Sequence, residues 1–152
     1  MGNQDEYDVA STNAKEELKA NKQTMWDVLK ISAPWDRLAN EMTSDMPVVF
    51  EIGYPTYYNL IKENSLNKSC ILTFLTILSE IPDTLISRKY GAKKASEISN
   101  QARQLLKYQN DDDFKDKLKE FDDYLYENKF NPGTTADLTA ASIFVTYLKS
   151  NF

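Results

Sequence analysis

The residues with the most chemical promise lie late in the chain, in the run Asn131-Pro132-Gly133-Thr134-Thr135-Ala136-Asp137-Leu138. Proline and glycine make a turn there, the threonines offer cap hydroxyls, and a helix of small residues then carries Asp137 in its first turn. A helix start exposes backbone N–H donors that suit a phosphate, and a carboxylate just inside it suits a bound Mg²⁺. An ordinary capped helix would use the same residues. A second group, Glu80, Asp83 and Arg88, surrounds Pro82 at the end of a long apolar run. There Asp83 is either a functional carboxylate or simply the N-cap of a short segment that Gly91 ends.

The chain has no histidine, which excludes Ser-His-Asp and Cys-His catalysis and histidine-based zinc sites. Proton transfer must fall to Asp, Glu, Lys, Tyr or water. Glu51 follows Val48, Val49 and Phe50, where a carboxylate either snorkels or serves a function. Asp111, Asp112 and Asp113 resemble a metal cluster, but consecutive residues converge poorly on one ion and a solvated helix start is the better reading.

These groups must be positioned by helices. The 152 residues are the size of one domain, 41% are hydrophobic and 27% charged, and only four glycines and five prolines interrupt them. Long elements are expected over a turn-rich β fold. The run Cys70 to Leu78 is apolar nearly all round, as a helix buried on most sides would be, and Pro82 ends it. Around it stand several amphipathic segments. Thr24 caps one that inclines Met25, Val28 and Leu29 to one face, and Trp35, Leu38 and Met42 line the next, with Asp36, Arg37 and Glu41 as solvated charges. Pro47 opens a helix that Gly53 and Pro55 break or kink. Ala95, Ile98, Ala102, Leu105 and Leu106 mark a fourth inward face, and Phe114, Leu118, Phe121 and Leu125 a fifth. The last helix, Thr135 to about Lys149, turns Leu138, Ala141, Val145 and Leu148 inward. The expectation is an all-α fold of roughly six to eight helices, an irregular bundle around a buried central helix at about residues 66–81. It is read as a single domain over 1–152, frayed at 1–12.

A net charge of −5 and a pI near 4.8 argue against a nucleic-acid surface. They exclude ATP less firmly, since Mg²⁺ can bridge carboxylates to phosphates. The lone cysteine, Cys70, reads as core and fits a reducing compartment. No stretch reaches the roughly 20 apolar residues of a membrane span, so a cytoplasmic protein is expected, with no membrane partner. Neither a P-loop nor a Rossmann fingerprint is present.

Three stretches together resemble the C-terminal part of the triphosphoribosyl-dephospho-CoA synthase family. They are Asn131 to Leu138, similar to that family's Pro-Gly-small-Ala-Asp-Leu signature, Asp83-Thr84 followed by Arg88 and Gly91, and the stretch from Asp36 that ends in Val49-Phe50-Glu51-Ile52-Gly53. The resemblance implies an all-helical enzyme that transfers the triphosphoribosyl group of ATP to the 2′-hydroxyl of 3′-dephospho-CoA and releases adenine. It implies a nucleotide site in which Asp83 and Asp137 act as Mg²⁺ ligands or general base. Arg88 and Asn131 would meet phosphate, and the Gly133, Thr134 and Thr135 amides would form an anion site, with Glu51 and Glu80 as second-line carboxylates. The family's chains are longer, and their Lys-Pro-Gly and Asn-Thr motifs are absent here, so the expectation is either a C-terminal fragment of a longer enzyme or a short homologue with a partner chain supplying that part. A non-catalytic helical subunit or nucleotide-binding module, and a same-fold enzyme acting on another cofactor precursor, are the alternatives.

Overall fold

The computed structural model describes Glu16 and residues 19–150. The expected frayed segment 1–12, with Tyr7 and Val9, lies outside the described residues, as do Ala14 and Leu18. The described residues are helical, with no strand among them, and fall into two compact units, one ending at Met46 and one beginning at Pro47.

In the first unit, α1 (Met25–Ser32) packs against α2 (Arg37–Thr43). Thr24 and Asp27 close a capping box, in which the Asp27 amide donates to the Thr24 hydroxyl at 3.2 Å and the Thr24 amide to the Asp27 carboxylate at 2.9 Å. The Thr24 hydroxyl, which donates to the Asp27 carboxylate at 2.6 Å, and after it the Thr24 amide hold the Asp27 carboxyl below its ordinary range. The expected stripe of Trp35, Leu38 and Met42 is exposed. The helix starts only at Arg37, capped by Asp36, so Trp35 lies before it and the inward side runs through Ala39. Glu41, expected in solvent, is 0% exposed.

The second unit opens with a helical stretch from Pro47 that does not break where Gly53 and Pro55 predict. It widens into a π-turn, Val49–Gly53, and continues as α3 (Tyr54–Leu60). In a regular α-helix the Pro55 ring would clash with the Glu51 carbonyl. The wide turn, in which the Tyr54 amide reaches back five residues to the Val49 carbonyl, opens room at that point.

Ser65 caps α4 (Leu66–Glu80), its hydroxyl accepting from the Lys68 amide at 3.2 Å. Leu72, Leu75, Ile77 and Leu78 bury nearly completely, and α4 is the central helix expected from the apolar run. Each such side chain contributes about 1.5–3 kcal/mol by leaving water. After it come α5 (Thr84–Tyr90), α6 (Ala92–Leu106), α7 (Phe114–Glu127) and α8 (Gly133–Ser150). Helix α4 packs against α6, α8, α3 and the π-turn. Ala95, Ile98, Ala102 and Leu105 of α6 join Phe121 and Leu125 of α7 in one core cluster with Leu75, Leu78 and Ile86. Leu106, Phe114 and Leu118 pack on it from the edge.

Gly91 ends α5 and starts α6 at φ 92°, ψ 155°, a conformation that essentially only glycine adopts. A Cβ there would meet nothing within 4 Å, so the cost of substitution is purely backbone strain. Gly91→Ala is expected to lower stability by about 1–3 kcal/mol, read by urea denaturation.

Helix α8 departs from the expected inward face. Leu138 is buried, but Leu148 is exposed and the buried positions beside Leu138 are Thr135, Thr139, Ser142 and Thr146. Three of these hydroxyls bond back to their own helix: Thr139 to the Thr135 carbonyl at 2.8 Å, Ser142 to Leu138 at 2.7 Å and Thr146 to Ser142 at 2.8 Å. With its polar atoms so satisfied, the face behaves as a small apolar one. The π-turn closes on it at Gly53, where a Cβ would stand in collision with the Ser142 side chain. Tyr57 of α3, 1% exposed, shares a hydrogen bond of 3.3 Å with the Tyr147 hydroxyl. Burial first, and that bond second, hold the Tyr57 phenol well above the ordinary tyrosine range.

No single helix among the described residues is long and apolar enough to cross a membrane.

Candidate functional site

The starts of α5 and α8 are joined by one side chain. Asp83 caps α5, its Oδ1 accepting from the Leu85 amide at 2.9 Å and the Ile86 amide at 3.2 Å. Its Oδ2 accepts from the Thr135 amide and the Thr135 hydroxyl, both at 2.8 Å. A carboxylate has about four lone-pair sites, and four protein donors occupy them here. Beside this latch the Thr84 and Thr134 hydroxyls lie 3.0 Å apart in a hydrogen bond. Asp83 is 1% exposed.

The anion site expected at the Gly133, Thr134 and Thr135 amides is therefore answered, at Thr135, by the protein's own carboxylate. The helix begins at Gly133 and not at Thr135, which moves Asp137 into its second turn. Asp137 is exposed, and being two residues past Thr135 it is rotated by about 200° around the axis. It faces away from the residue that holds Asp83, so the two carboxylates do not converge. Glu80 is exposed at the end of α4, and Glu51 is exposed in the π-turn.

Arg88 and Asn131 do come together. They line a cavity of about 340 Å³ with Leu85, Ile86, Lys89, Tyr90 and Lys129. Tyr90 fixes one wall, its hydroxyl donating to the Lys129 carbonyl at 3.1 Å while its ring meets Phe130 edge-on, centroids 4.8 Å apart. Lys129 ends the turn after α7 in the left-handed region, at φ 58°. Three cations, with no carboxylate among the described lining residues, thus line one cleft in a protein of net charge −5. Such a wall suits a polyphosphate, for which guanidinium and ammonium groups supply charge-assisted hydrogen bonds. Lys89, Tyr90 and Lys129 were missed by sequence reasoning. The run Arg88-Lys89 at a helix end was a signal for the first, and nothing in the sequence marked Lys129.

A larger cavity, about 1150 Å³, opens between α4, α7 and α8. Its walls are mainly apolar, with Ile71, Phe74, Leu118 and Ile143 among them, and Lys129 and Asn131 line this cavity as well as the cationic one.

Fold and cleft together define an all-helical protein that presents a cationic pocket where two helix starts are tied, a pocket with the charge to attract phosphate groups. Comparison narrows the class, for the model of the CitG family, ATP:dephospho-CoA triphosphoribosyl transferase, matches residues 1–152. The chain belongs to that family, and the match runs over its whole length. It is thereby a transferase of coenzyme A derivative and prosthetic-group biosynthesis, and ATP and dephospho-CoA are the substrates the family implies. No curated protein and no solved structure matches the chain.

Proposed function

We propose that the cleft of Arg88, Lys89, Lys129 and Asn131 grips the triphosphate of ATP during triphosphoribosyl transfer. The observation that carries this reading is the gathering of Arg88, Lys89 and Lys129 on one cleft beside the Asp83 latch. In the reaction the bond from C1′ of ATP to adenine breaks and a bond from C1′ to the acceptor 2′-oxygen forms. Adenine leaves with the electron pair and takes up a proton, while the acceptor hydroxyl gives one up. Charge grows on C1′ as the base departs, so a fixed triphosphate holds the electrophile where the acceptor can reach it.

Asp83 enters as a positioning residue, since its oxygens are occupied by donors of α5 and α8. Asp137, Glu80 and Glu51, all exposed, are the candidate carboxylates for removing the acceptor proton. Asp83 and Asp137 do not fit a shared Mg²⁺, because one is saturated and the other faces away. No group of three metal-ligating side chains exists among the described residues.

The full engagement of Asp83 also favours a second reading, a nucleotide-binding module that depends on a partner chain for chemistry. Adenine release from ATP with dephospho-CoA, followed by chromatography, separates the two. Arg88→Gln and Lys129→Gln are each expected to raise KM for ATP about tenfold, the loss of one charge-assisted bond, without loss of fold. Unchanged KM in both variants would remove the triphosphate from this cleft. ATP binding without adenine release, in wild type alone and with dephospho-CoA, would favour the module.

A further inference from the structure

We infer that the apolar cavity between α4, α7 and α8 holds the pantetheine arm of the acceptor, an inference that rests on the transferase reading above. A dephospho-CoA-type acceptor has three parts in series: an adenosine with the nucleophilic 2′-hydroxyl, a diphosphate, and a long arm of mostly methylene, gem-dimethyl and amide groups. The protein offers matching surfaces in the same order. The cationic cleft lies on one side and the apolar cavity on the other, and the boundary between them is made by Lys129 and Asn131, which line both. A diphosphate at that boundary shares the Lys129 ammonium and the Asn131 amide with the triphosphate, whose remaining charge lies against Arg88 and Lys89. It leaves the acceptor's ribose over the cleft that holds the triphosphate, and directs the arm into the cavity.

The cavity suits the arm by size and lining. At about 1150 Å³ it exceeds the roughly 300–1,000 Å³ of ordinary ligand pockets, so an extended chain has room. Ile71, Phe74, Leu118 and Ile143 give apolar walls, and Ala136 and Ala140 of α8 take up little of the space between them. The remaining mouth carries both signs, Lys115 and Lys119 with Asp116 and Asp122, which selects against neither a neutral amide nor a zwitterionic edge. Anion recognition therefore belongs to the Lys129 and Asn131 end.

The test compares two ligands by calorimetry on the full chain with its cleft saturated by inorganic triphosphate: ADP, which lacks the arm, and S-methyl-dephospho-CoA, which carries it without a reactive thiol. Wild type is expected to bind the second at least tenfold tighter. Ala140→Trp fills the cavity from an exposed position, as does Ala136→Trp should the first variant fold poorly. Either is expected to abolish the difference, to raise KM for dephospho-CoA about tenfold and to leave KM for ATP unchanged. Equal binding of the two ligands by wild type, or a preference that survives both tryptophans, would overturn the inference. So would a wild-type dimer that the tryptophans dissociate, since a second copy would then fill the cavity. Turnover without arm-dependent binding sinks this inference and leaves the transferase reading standing. Arm-dependent binding without turnover does the reverse.

Discussion

Asp83→Ala is expected to cost about 3–5 kcal/mol of stability, read as a lower urea midpoint with an unchanged slope. An exposed N-cap replaced by alanine costs typically about 1 kcal/mol, because water takes over the abandoned amides. Here the cap is buried, and the loss strands the Leu85, Ile86 and Thr135 amides together with the Thr135 hydroxyl. Each buried donor left without a partner costs about 1–3 kcal/mol, partly recovered as the site relaxes. Against a total stability of about 5–15 kcal/mol for a domain, that is a large share. Asp83→Asn keeps an acceptor for the α5 amides but turns an NH₂ toward the Thr135 donors, and about 2 kcal/mol is expected. Thr135→Val removes one donor and spares the amide, for about 1 kcal/mol. Were Asp83→Ala as stable as wild type and inactive, the carboxylate would be held for chemistry and its structural role here would be wrong.

Gly53→Ala is expected to destabilise by about 2–3 kcal/mol, against the direction that helix propensity sets. Glycine to alanine inside a helix ordinarily gains up to about 1 kcal/mol, and Gly53, at φ −67°, has a backbone any residue can adopt. The obstacle is steric. A Cβ would lie 1.9 Å from the Ser142 Oγ, 2.7 Å from the Ser142 Cβ and 3.2 Å from the Ile77 Cδ1. Two of these contacts belong to one side chain, so Ser142→Gly in the same protein should restore most of the loss. A double-mutant cycle then isolates the coupling at about 1 kcal/mol or more. A gain in thermal midpoint for Gly53→Ala alone would mean that the π-turn and α8 do not approach as described.

The same two places show what a sequence reveals and what it hides. The all-α class and the central helix follow from the length and apolar density of Cys70 to Leu78, signals that need no knowledge of neighbours. The inward faces of α6 and α7 follow from their 3.6-residue period in the same way. Helix α8 defeated that logic because a hydropathy pattern scores Thr139, Ser142 and Thr146 as polar, whereas bonds to carbonyls four residues back make them fit to bury. The π-turn has no composition of its own; Gly53 and Pro55 pointed to an irregularity but not to its kind. Asp83 was legible as a cap from Pro82-Asp83-Thr84. That its second oxygen reaches Thr135 is a fact of packing between segments 52 residues apart, which local pattern does not encode. The adjacency of Arg88 and Asn131 was likewise invisible, although the family resemblance implies a phosphate role for both.

The Asp83 latch also bears on how the chain is made. Asp83 leaves the ribosome 52 residues ahead of Thr135, and at about 5–20 residues per second that gap lasts from about 3 to 10 seconds. During that interval solvent has to stand in for the missing donors, so the nascent α5 start must stay wet. Desolvating it is among the last acts of assembly, and the cationic cleft, whose Lys129 and Asn131 are translated only just before Thr135, gains its last lining residues at nearly the same moment.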